Sequence, residues 1–190
     1  LHRNVVRQGV AASRATAADL AQGKYLCVLD AHSRGESGWL DRLSEALATI
    51  DDRGLVVPAV LMMDPERWEL DLERPPALGC TISTPRLDFN WSPPRAGEGK
   101  TCACTIGGGV WMSTREWYAH VGGLDRGMCA WGGENIDLPI RTWIAGGKCL
   151  VQADVRVAHV FKQGDWRKPN ASSYSAAQFS GGAQESGSRT

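Results

Sequence analysis

The stretch Lys24-Tyr25-Leu26-Cys27-Val28-Leu29-Asp30-Ala31-His32 places an acid and an imidazole directly after a short apolar run. Gly23 precedes this run, whose composition predicts a buried strand over residues 25–29. In an extended chain, residues i and i+2 point to the same side, so Asp30 and His32 can reach one ion together. A carboxylate with an imidazole suits a divalent cation such as Mn²⁺ and leaves positions for phosphate oxygens and water. The alternative is an Asp that closes a turn or caps the next helix.

The segments on either side of this stretch alternate between helical and strand patterns. Residues 5–21 are rich in Ala and carry apolar residues at helical spacing, which predicts a helix. A polar loop follows over residues 33–37, and an amphipathic pattern over residues 39–50 predicts a second helix. A β-branched run over residues 55–61 predicts a strand, in which Pro58 indicates an edge position or a bulge. Helices that alternate with strands indicate an α/β sheet with crossover connections.

The middle of the chain has no sustained hydrophobic periodicity. Residues 62–104 contain repeated prolines, and a loop this long inside a compact domain is usually functional. Gly107-Gly108-Gly109 follows, where the backbone can come close to a ligand; the alternative is a bulge before a strand at residues 110–112. A capping box at residues 113–116 predicts a helix that runs to about His120.

A second group of candidate functional residues lies in Trp131-Gly132-Gly133-Glu134-Asn135. The glycines make a turn, and Glu134 opens a predicted helix. The apolar residues that share one face of this helix are Ile136, Ile140, Trp143 and Ile144. A carboxylate at the mouth of a cleft can hydrogen-bond ligand hydroxyls or orient a nucleophile, whereas the alternative is an acid that only complements the helix dipole. Two more strands are predicted over residues 148–151 and 155–160.

Composition limits the class of protein. A chain of 190 residues is expected to form one domain. Lys plus Arg and Asp plus Glu number 21 each, so no net field recruits nucleic acid or an anionic membrane. The six cysteines are too scattered for a disulfide scaffold, and Cys27 and Cys149 lie in apolar runs that predict core positions. With no apolar run near the ~20 residues of a membrane span and no signal-peptide pattern, the expectation is a soluble chain in a cytoplasmic setting.

Several short motifs follow one another along the chain. They are Arg7-x-Gly9 with Arg14, Leu29-Asp30-Ala31-His32 with Gly38-Trp39-Leu40, Phe89-Asn90-Trp91, Gly107-Gly108-Gly109, Gly127-Met128 with Trp131-Gly132-Gly133-Glu134-Asn135, Arg141-x-Trp143 with Gly146-Gly147, and Ala158-His159-Val160-Phe161. Over residues 3–162 this combination resembles the catalytic domain of polypeptide N-acetylgalactosaminyltransferases, which are retaining enzymes with the GT-A fold. The resemblance implies a Rossmann-like mixed sheet with flanking helices over residues 1–163, without the first βαβ unit that holds uracil and ribose. Residues 164–190 are rich in Ser, Gly and Ala, which predicts a flexible tail.

The resemblance also implies a role for each matched residue. His159 would be the third ligand, beside Asp30 and His32, of Mn²⁺ or another divalent cation. The residues implied in donor binding are Arg7, Trp131 and Lys162 at the diphosphate of a UDP-sugar, and Gly108, Gly109 and Glu134 at the sugar. Lys162 replaces a family Arg, so it keeps the charge and loses the bidentate fork. Asp30 and Glu134 are the implied catalytic residues. Trp91 is an implied acceptor contact, and core packing is the alternative.

The implied reaction moves a sugar, GalNAc or similar, from the UDP-sugar to an acceptor hydroxyl with retention. The acceptor stays open between Ser or Thr of a protein, a saccharide and a hydroxymethylated nucleic-acid base. A second hypothesis is a non-catalytic GT-A remnant that binds a partner, because the nucleotide half is missing from this chain. If the chain belongs to an enzyme instead, residues of a longer reading frame or another chain are expected to supply that half. The resemblance implies a location in the Golgi lumen, whereas the composition favours the cytoplasm. The sequence does not determine the sugar or the oligomeric state.

Overall fold

The computed structural model describes residues 2–83, 88–91, 101–102, 109–128 and 133–161. The helices are α1 (Val10–Leu20), α2 (Trp39–Ala48), α3 (Arg115–His120) and α4 (Glu134–Ile144). The strands are β1 (Tyr25–Leu29), β2 (Ser33–Gly35), β3 (Gly54–Met62), β4 (Cys80–Ser83), β5 (Asp88–Trp91), β6 (Thr101–Cys102), β7 (Val110–Thr114) and β8 (Lys148–His159). None of the described helices has the length and apolar character that crossing a bilayer requires.

Six of the strands form one mixed sheet. Its order is β1-β7-β3-β8-β2, and β6 also pairs with β8. Strand β7 is antiparallel to both β1 and β3, while β3 is parallel to β8. Strands β1, β3 and β8 therefore run in one direction, and they end at Leu29, Met62 and His159. We call this end of the sheet the carboxyl edge. Strands β4 and β5 form a separate antiparallel pair.

Helices cover both faces of the sheet. On one face, side chains of α1, α3 and α4 pack with Leu55 and Val57 of β3 in a buried cluster that includes Trp117 and Leu138. On the other face, α2 packs through Leu43, Ala46 and Leu47 against Val56, Met112, Leu150 and Val155. Strand β3 is buried along nearly its whole length because it is covered on both sides. The predicted α/β class with flanking helices is confirmed.

The structure corrects three of the predicted elements. Helix α1 begins at Val10 and not near residue 5, because Gly9 precedes it with a left-handed φ of 83°. The predicted loop over residues 33–37 contains β2, which pairs with the end of β8. The region predicted to lack regular structure, 62–104, contains β4, β5 and β6. These strands are two to four residues long, too short to show a hydrophobic period.

Strand β3 occupies a central position, so the edge alternative for Pro58 is wrong. The bulge alternative is right, because the register between β3 and β8 shifts between Pro58 and Ala59. A proline cannot donate to the ladder, and the irregularity removes the need for that donor. The two strands predicted over residues 148–151 and 155–160 are one strand, β8, that continues through this irregularity.

Two expectations about burial are also wrong. Cys27 is exposed, because β1 is the outer strand of the described sheet and alternates Leu26 inward with Cys27 outward; Cys149 is buried as predicted. The predicted apolar face of α4 points outward, where Ile140, Trp143 and Ile144 are 40%, 38% and 81% exposed.

The face of α4 that points inward is instead the one that carries Glu134, the acid of the motif at residues 131–135. Glu134, Leu138 and Thr142 lie four residues apart, on one helical face, and all three are buried. Glu134 is only 2% exposed. The helix therefore presents a carboxylate to the interior at its first turn and apolar side chains to solvent at its last.

Candidate metal centre

Backbone hydrogen bonds bring the three predicted ligands to the carboxyl edge. The Asp30 N–H donates to the Gly109 carbonyl at 2.8 Å, which holds the residue after β1 beside the start of β7. His32 leads into β2, where Ser33 pairs with His159 of β8. The Val160 N–H donates to the His32 carbonyl at 3.0 Å. The turn between β1 and β2 thus places Asp30 and His32, and sheet pairing brings His159 to them.

The side chains of Asp30, His32 and His159 converge. Each offers one ligand atom, and these atoms lie within 4.8 Å of one another. His159 Nε2 is 3.4 Å from Asp30 Oδ2, and the two imidazole centroids are 4.4 Å apart. The buried Nδ1 of His159 has no hydrogen-bond partner among the described residues. One carboxylate and two imidazoles fit a divalent cation such as Mn²⁺. The structure brings the three residues together, and their role as ligands stays a prediction.

Gly109 leaves room for this cluster. A Cβ placed on Gly109 would lie 3.2 Å from Asp30 Oδ2 and 3.3 Å from His159 Cδ2. These separations are tighter than most side-chain contacts, so a larger residue would press on two of the three candidate ligand residues. The absence of a side chain here is consistent with the predicted role of the glycine turn at the donor sugar.

Arg14 links the two motifs and has no role assigned from the sequence. Its Nη2 is 2.7 Å from Asp30 Oδ1, and its Nη1 is 3.4 Å from Glu134 Oε1. The Arg14 side chain is 14% exposed on α1, where Ala11 and Ala15 are buried. The sequence signal that could have identified Arg14 is a charged residue on the face of an Ala-rich helix that otherwise carries small residues. Local periodicity could not name its partners, because they lie 16 and 120 residues away.

The charges around Asp30 keep its carboxyl group ionised. Burial raises the pKa of Asp30, but the hydrogen bond with His159 and the charge of Arg14 together outweigh burial, and the pKa lies below its usual value. One carboxylate oxygen faces Arg14 and the other faces His159. The site therefore offers an ionised acid with one oxygen directed toward the two imidazoles.

The remaining predicted donor-site residues are not brought into this cluster by the described structure. Arg7 is exposed in the segment before α1, and no described contact joins it to Asp30, His32 or His159. Gly108, Trp131 and Lys162 lie outside the described residues, as do residues 164–190. The side chain of Trp91 lies outside the described part of the chain as well. Their assignments, and the boundary of the domain at residue 163, stay predictions.

Three comparisons with known proteins bear on this site. Residues 99–162 match the family profile described as the N-terminal domain of galactosyltransferase. The chain is 31% identical over 180 residues to polypeptide N-acetylgalactosaminyltransferase 4 of Mus musculus, covering 90% of this chain and 31% of that protein. It is 28% identical over 169 residues to inactive polypeptide N-acetylgalactosaminyltransferase-like protein 5 of Macaca fascicularis, covering 85% and 37%.

The crystal structure of GalNAc-T7 with UDP, GalNAc and Mn²⁺ has the same fold over most of this chain. The TM-score is 0.74 at 24% identity, over 85% of this chain and 32% of that chain. The GT-A fold and the resemblance to polypeptide N-acetylgalactosaminyltransferases are thereby confirmed. The chain spans about a third of the length of the mouse and macaque relatives.

Proposed function

We propose that this chain, similar in sequence and fold to polypeptide N-acetylgalactosaminyltransferases, is part of a metal-dependent retaining glycosyltransferase. Its reaction moves GalNAc or a similar sugar from a UDP-sugar to an acceptor hydroxyl, with protein Ser or Thr as the expected acceptor. The observation that carries the proposal is the convergence of Asp30, His32 and His159 within 4.8 Å at the carboxyl edge. Open α/β sheets bind ligands at this end of their strands.

The three candidate ligand side chains suit the implied ion. Asp30, His32 and His159 would hold Mn²⁺ or another divalent cation, with the remaining positions for phosphate oxygens and water. When bound, such an ion neutralises negative charge on the departing diphosphate. A relative of the same fold has been solved with UDP, GalNAc and Mn²⁺, which supports this choice of ion and donor.

Arg14 acts as a positioning residue in this proposal. It holds Asp30 Oδ1 at 2.7 Å, which orients the other oxygen toward His159. The same guanidinium lies 3.4 Å from Glu134, which opens α4 and is 2% exposed. A buried carboxylate held by a cation at a helix start is well placed to accept hydrogen bonds from sugar hydroxyls. Arg14 therefore couples the geometry of the metal centre to that of the sugar site.

We assign no protein base to the acceptor proton. Asp30 and Glu134 are the carboxylates at the described site, and both are paired with Arg14. The pKa of Asp30 lies below its usual value, which makes this carboxylate a weak proton acceptor. The proposal therefore leaves the proton to the phosphate of the donor, on the same face of the sugar as the incoming hydroxyl, in agreement with retention.

Titration calorimetry of UDP into the intact protein, with and without Mn²⁺, tests the donor site. We expect binding that requires the metal, and we expect His159→Ala to weaken it by more than the roughly 100-fold that losing an outer-shell partner of a metal site can cost. His120→Ala is the matched control, because this exposed imidazole ends α3 at the opposite end of the sheet. An intact protein that fails to bind UDP under either condition would contradict the proposal.

A non-catalytic GT-A module is the second candidate. The observation that favours it is the 28% identity to a relative described as inactive. It differs from the first candidate in its chemistry, since it predicts no sugar transfer even when UDP binds. Mass spectrometry of Thr-containing peptides incubated with UDP-GalNAc and Mn²⁺ separates the two. A mass increase of one N-acetylhexosamine supports the enzyme, and its absence with intact UDP binding supports the module.

A further inference from the structure

The sheet fixes the backbone of His159 on both sides. His159 pairs with Ser33 of β2 and with Met62 of β3. Its carbonyl accepts from the Met63 N–H at 3.0 Å. These contacts place the Cα atom of the third candidate ligand, but they leave the rotation of its imidazole ring undetermined. Another contact must therefore set the direction in which the ring nitrogens point.

A metal-ligating histidine is ordinarily oriented through its second ring nitrogen. That nitrogen donates to a carboxylate, a backbone carbonyl or water, and the hydrogen bond fixes the plane of the ring. In His159, Nε2 lies 3.4 Å from Asp30 Oδ2, which makes it the nitrogen on the side of the candidate metal centre. The buried Nδ1 has no hydrogen-bond partner within the described part of the chain. No described hydrogen bond of the usual outer kind therefore holds this ring.

Two aromatic side chains pack against the imidazole instead. The centroid of the Phe161 ring lies 4.5 Å from that of His159, at an interplanar angle of 57°. The His32 ring lies at 4.4 Å and 60°. Aromatic pairs favour tilted arrangements at centroid distances of roughly 4.5–7 Å. Since His32 is itself a candidate ligand, Phe161 is the neighbouring ring that has no ligand atom to offer.

The hydrophobic core anchors Phe161 in turn. Its side chain is partly buried and packs against a cluster formed by Val60 of β3, Val110 of β7 and Val157 of β8. These strands are neighbours in the sheet, and the three valines are at most 6% exposed. A side chain that packs against a dense interior has few alternative positions. Phe161 thus connects the rigid sheet to the ring of a candidate metal ligand.

We propose that Phe161 is a positioning residue for His159, and that aromatic packing orients this ligand where a hydrogen bond would ordinarily do so. The proposal rests on the candidate metal centre of the proposed function, because the ring needs this orientation only when it binds an ion. It adds a residue outside the ligand set that determines how tightly the ion is held. Loss of the Phe161 ring should therefore alter the metal centre as well as the stability of the fold.

Binding of Mn²⁺ to the intact protein tests the proposal, with unbound Mn²⁺ measured by electron paramagnetic resonance in the presence and absence of UDP. Phe161→Leu keeps an apolar side chain on the three valines and removes the ring. We expect its Mn²⁺ affinity to fall about fivefold, the effect of one aromatic pair. Phe161→Tyr keeps the ring and should bind Mn²⁺ as the wild type does. The visible absorption spectrum of the Co²⁺-substituted protein reports the arrangement of the ligands, and it should change in Phe161→Leu.

Trp39→Leu is the matched control. Trp39 packs against the same three valines, and no described ring contact joins it to His32 or His159. Both Trp39→Leu and Phe161→Leu should lower stability in urea denaturation. Only Phe161→Leu should change the Mn²⁺ affinity and the Co²⁺ spectrum.

An independent readout needs only wild-type protein, so it applies even where Phe161→Leu folds poorly. Nuclear Overhauser contacts between the ring protons of His159 and Phe161 can be measured in intact protein with labelled histidine and phenylalanine. We expect these contacts to persist when the diamagnetic ion Zn²⁺ is added, because the proposal requires the two rings to stay packed in the metal-bound state.

The possible results are distinguishable. An unchanged Mn²⁺ affinity in Phe161→Leu, an equal loss in Trp39→Leu, or loss of the ring contacts with Zn²⁺ overturns the inference and leaves the proposed function standing. Wild-type protein that binds Mn²⁺ but neither binds UDP nor transfers a sugar overturns the proposed function, while the role of Phe161 stands. Wild-type protein that binds no Mn²⁺ with or without UDP overturns the candidate metal centre, and the inference with it.

Discussion

The two ends of the sheet satisfy their polar side chains in different ways. At the end opposite the carboxyl edge, Ser113 donates to the Gly54 carbonyl at 2.8 Å, and Thr114 donates to the Asp52 carbonyl at 3.1 Å. At the carboxyl edge, Arg14 instead pairs with Asp30 and Glu134. At one end, neutral hydroxyl groups thus donate to backbone carbonyls. At the other end, charged side chains form ion pairs with each other.

This difference separates structural polar groups from candidate functional ones. A hydroxyl on a carbonyl completes local backbone bonding at little cost. Buried charges must be taken out of water, and their mutual attraction often fails to compensate. The ion pair at the opposite end, Lys24 with Asp52, is largely solvated, with Lys24 62% exposed. The fold gains little from burying Arg14 and Glu134, so their presence at the carboxyl edge is better explained by a ligand than by stability.

The largest expected effect follows from removing the cation at the carboxyl edge. Arg14→Ala leaves Glu134, 2% exposed, and Asp30 without their guanidinium. Breaking a buried ion pair in this way costs about 3 kcal/mol in the free energy of unfolding, because the cation that offsets the carboxylate charge is lost. Urea denaturation monitored by tryptophan fluorescence measures the change. UDP affinity with Mn²⁺ should fall in the same variant, since Asp30 loses its orientation.

The matched control for Arg14→Ala also removes the negative charge of Glu134. The double variant with Glu134→Gln should recover part of the lost stability, because a neutral amide is cheaper to bury than a carboxylate. It should not recover UDP binding. Equal instability in the single and double variants would mean that packing of the Arg14 side chain, and not charge, explains the loss.

A smaller effect is expected at the opposite end of the sheet. Thr114 caps α3, since its Oγ1 accepts from the Trp117 N–H at 3.1 Å. Thr114→Ala should lower the free energy of unfolding by about 1 kcal/mol, the usual cost of losing such a cap. Thr114→Ser keeps the oxygen and is the control. A change in Mn²⁺-dependent UDP affinity in Thr114→Ala would contradict the division between the two ends.

The smallest effect is expected on the outer face of α4. Ile144 is 81% exposed, so Ile144→Gln removes little buried apolar area. The free energy of unfolding should change by no more than about 0.5 kcal/mol, as for most surface substitutions. Leu138→Ala, in the buried core on the inner face of the same helix, is the contrast and should be strongly destabilising. A large loss in Ile144→Gln would show that this face is covered in the intact protein.

Sequence patterns predicted the elements that carry a regular period. Strand β1 and helices α2 and α4 lie where apolar spacing placed them. Asp30 and His32 converge as predicted, but they lie in the turn after β1 and not in extended chain, so the i, i+2 rule is not the reason. Strand β2 could not be predicted, because Ser33–Gly35 carries no apolar alternation and forms only by pairing with β8. His159 entered through family resemblance alone, since nothing local marks a lone imidazole at a strand end.

The sequence by itself determined which residues share a face of each element, and tertiary structure decided which face turns inward. Glu134, Leu138 and Thr142 share one face of α4 by helical geometry, but the sheet and Arg14 decided that this face is the buried one. The pairs that build the site, Arg14 with Glu134 and Asp30 with His159, join residues 120 and 129 positions apart. Periodicity is a local property of the chain, whereas burial and charge pairing depend on contacts that only the assembled sheet creates.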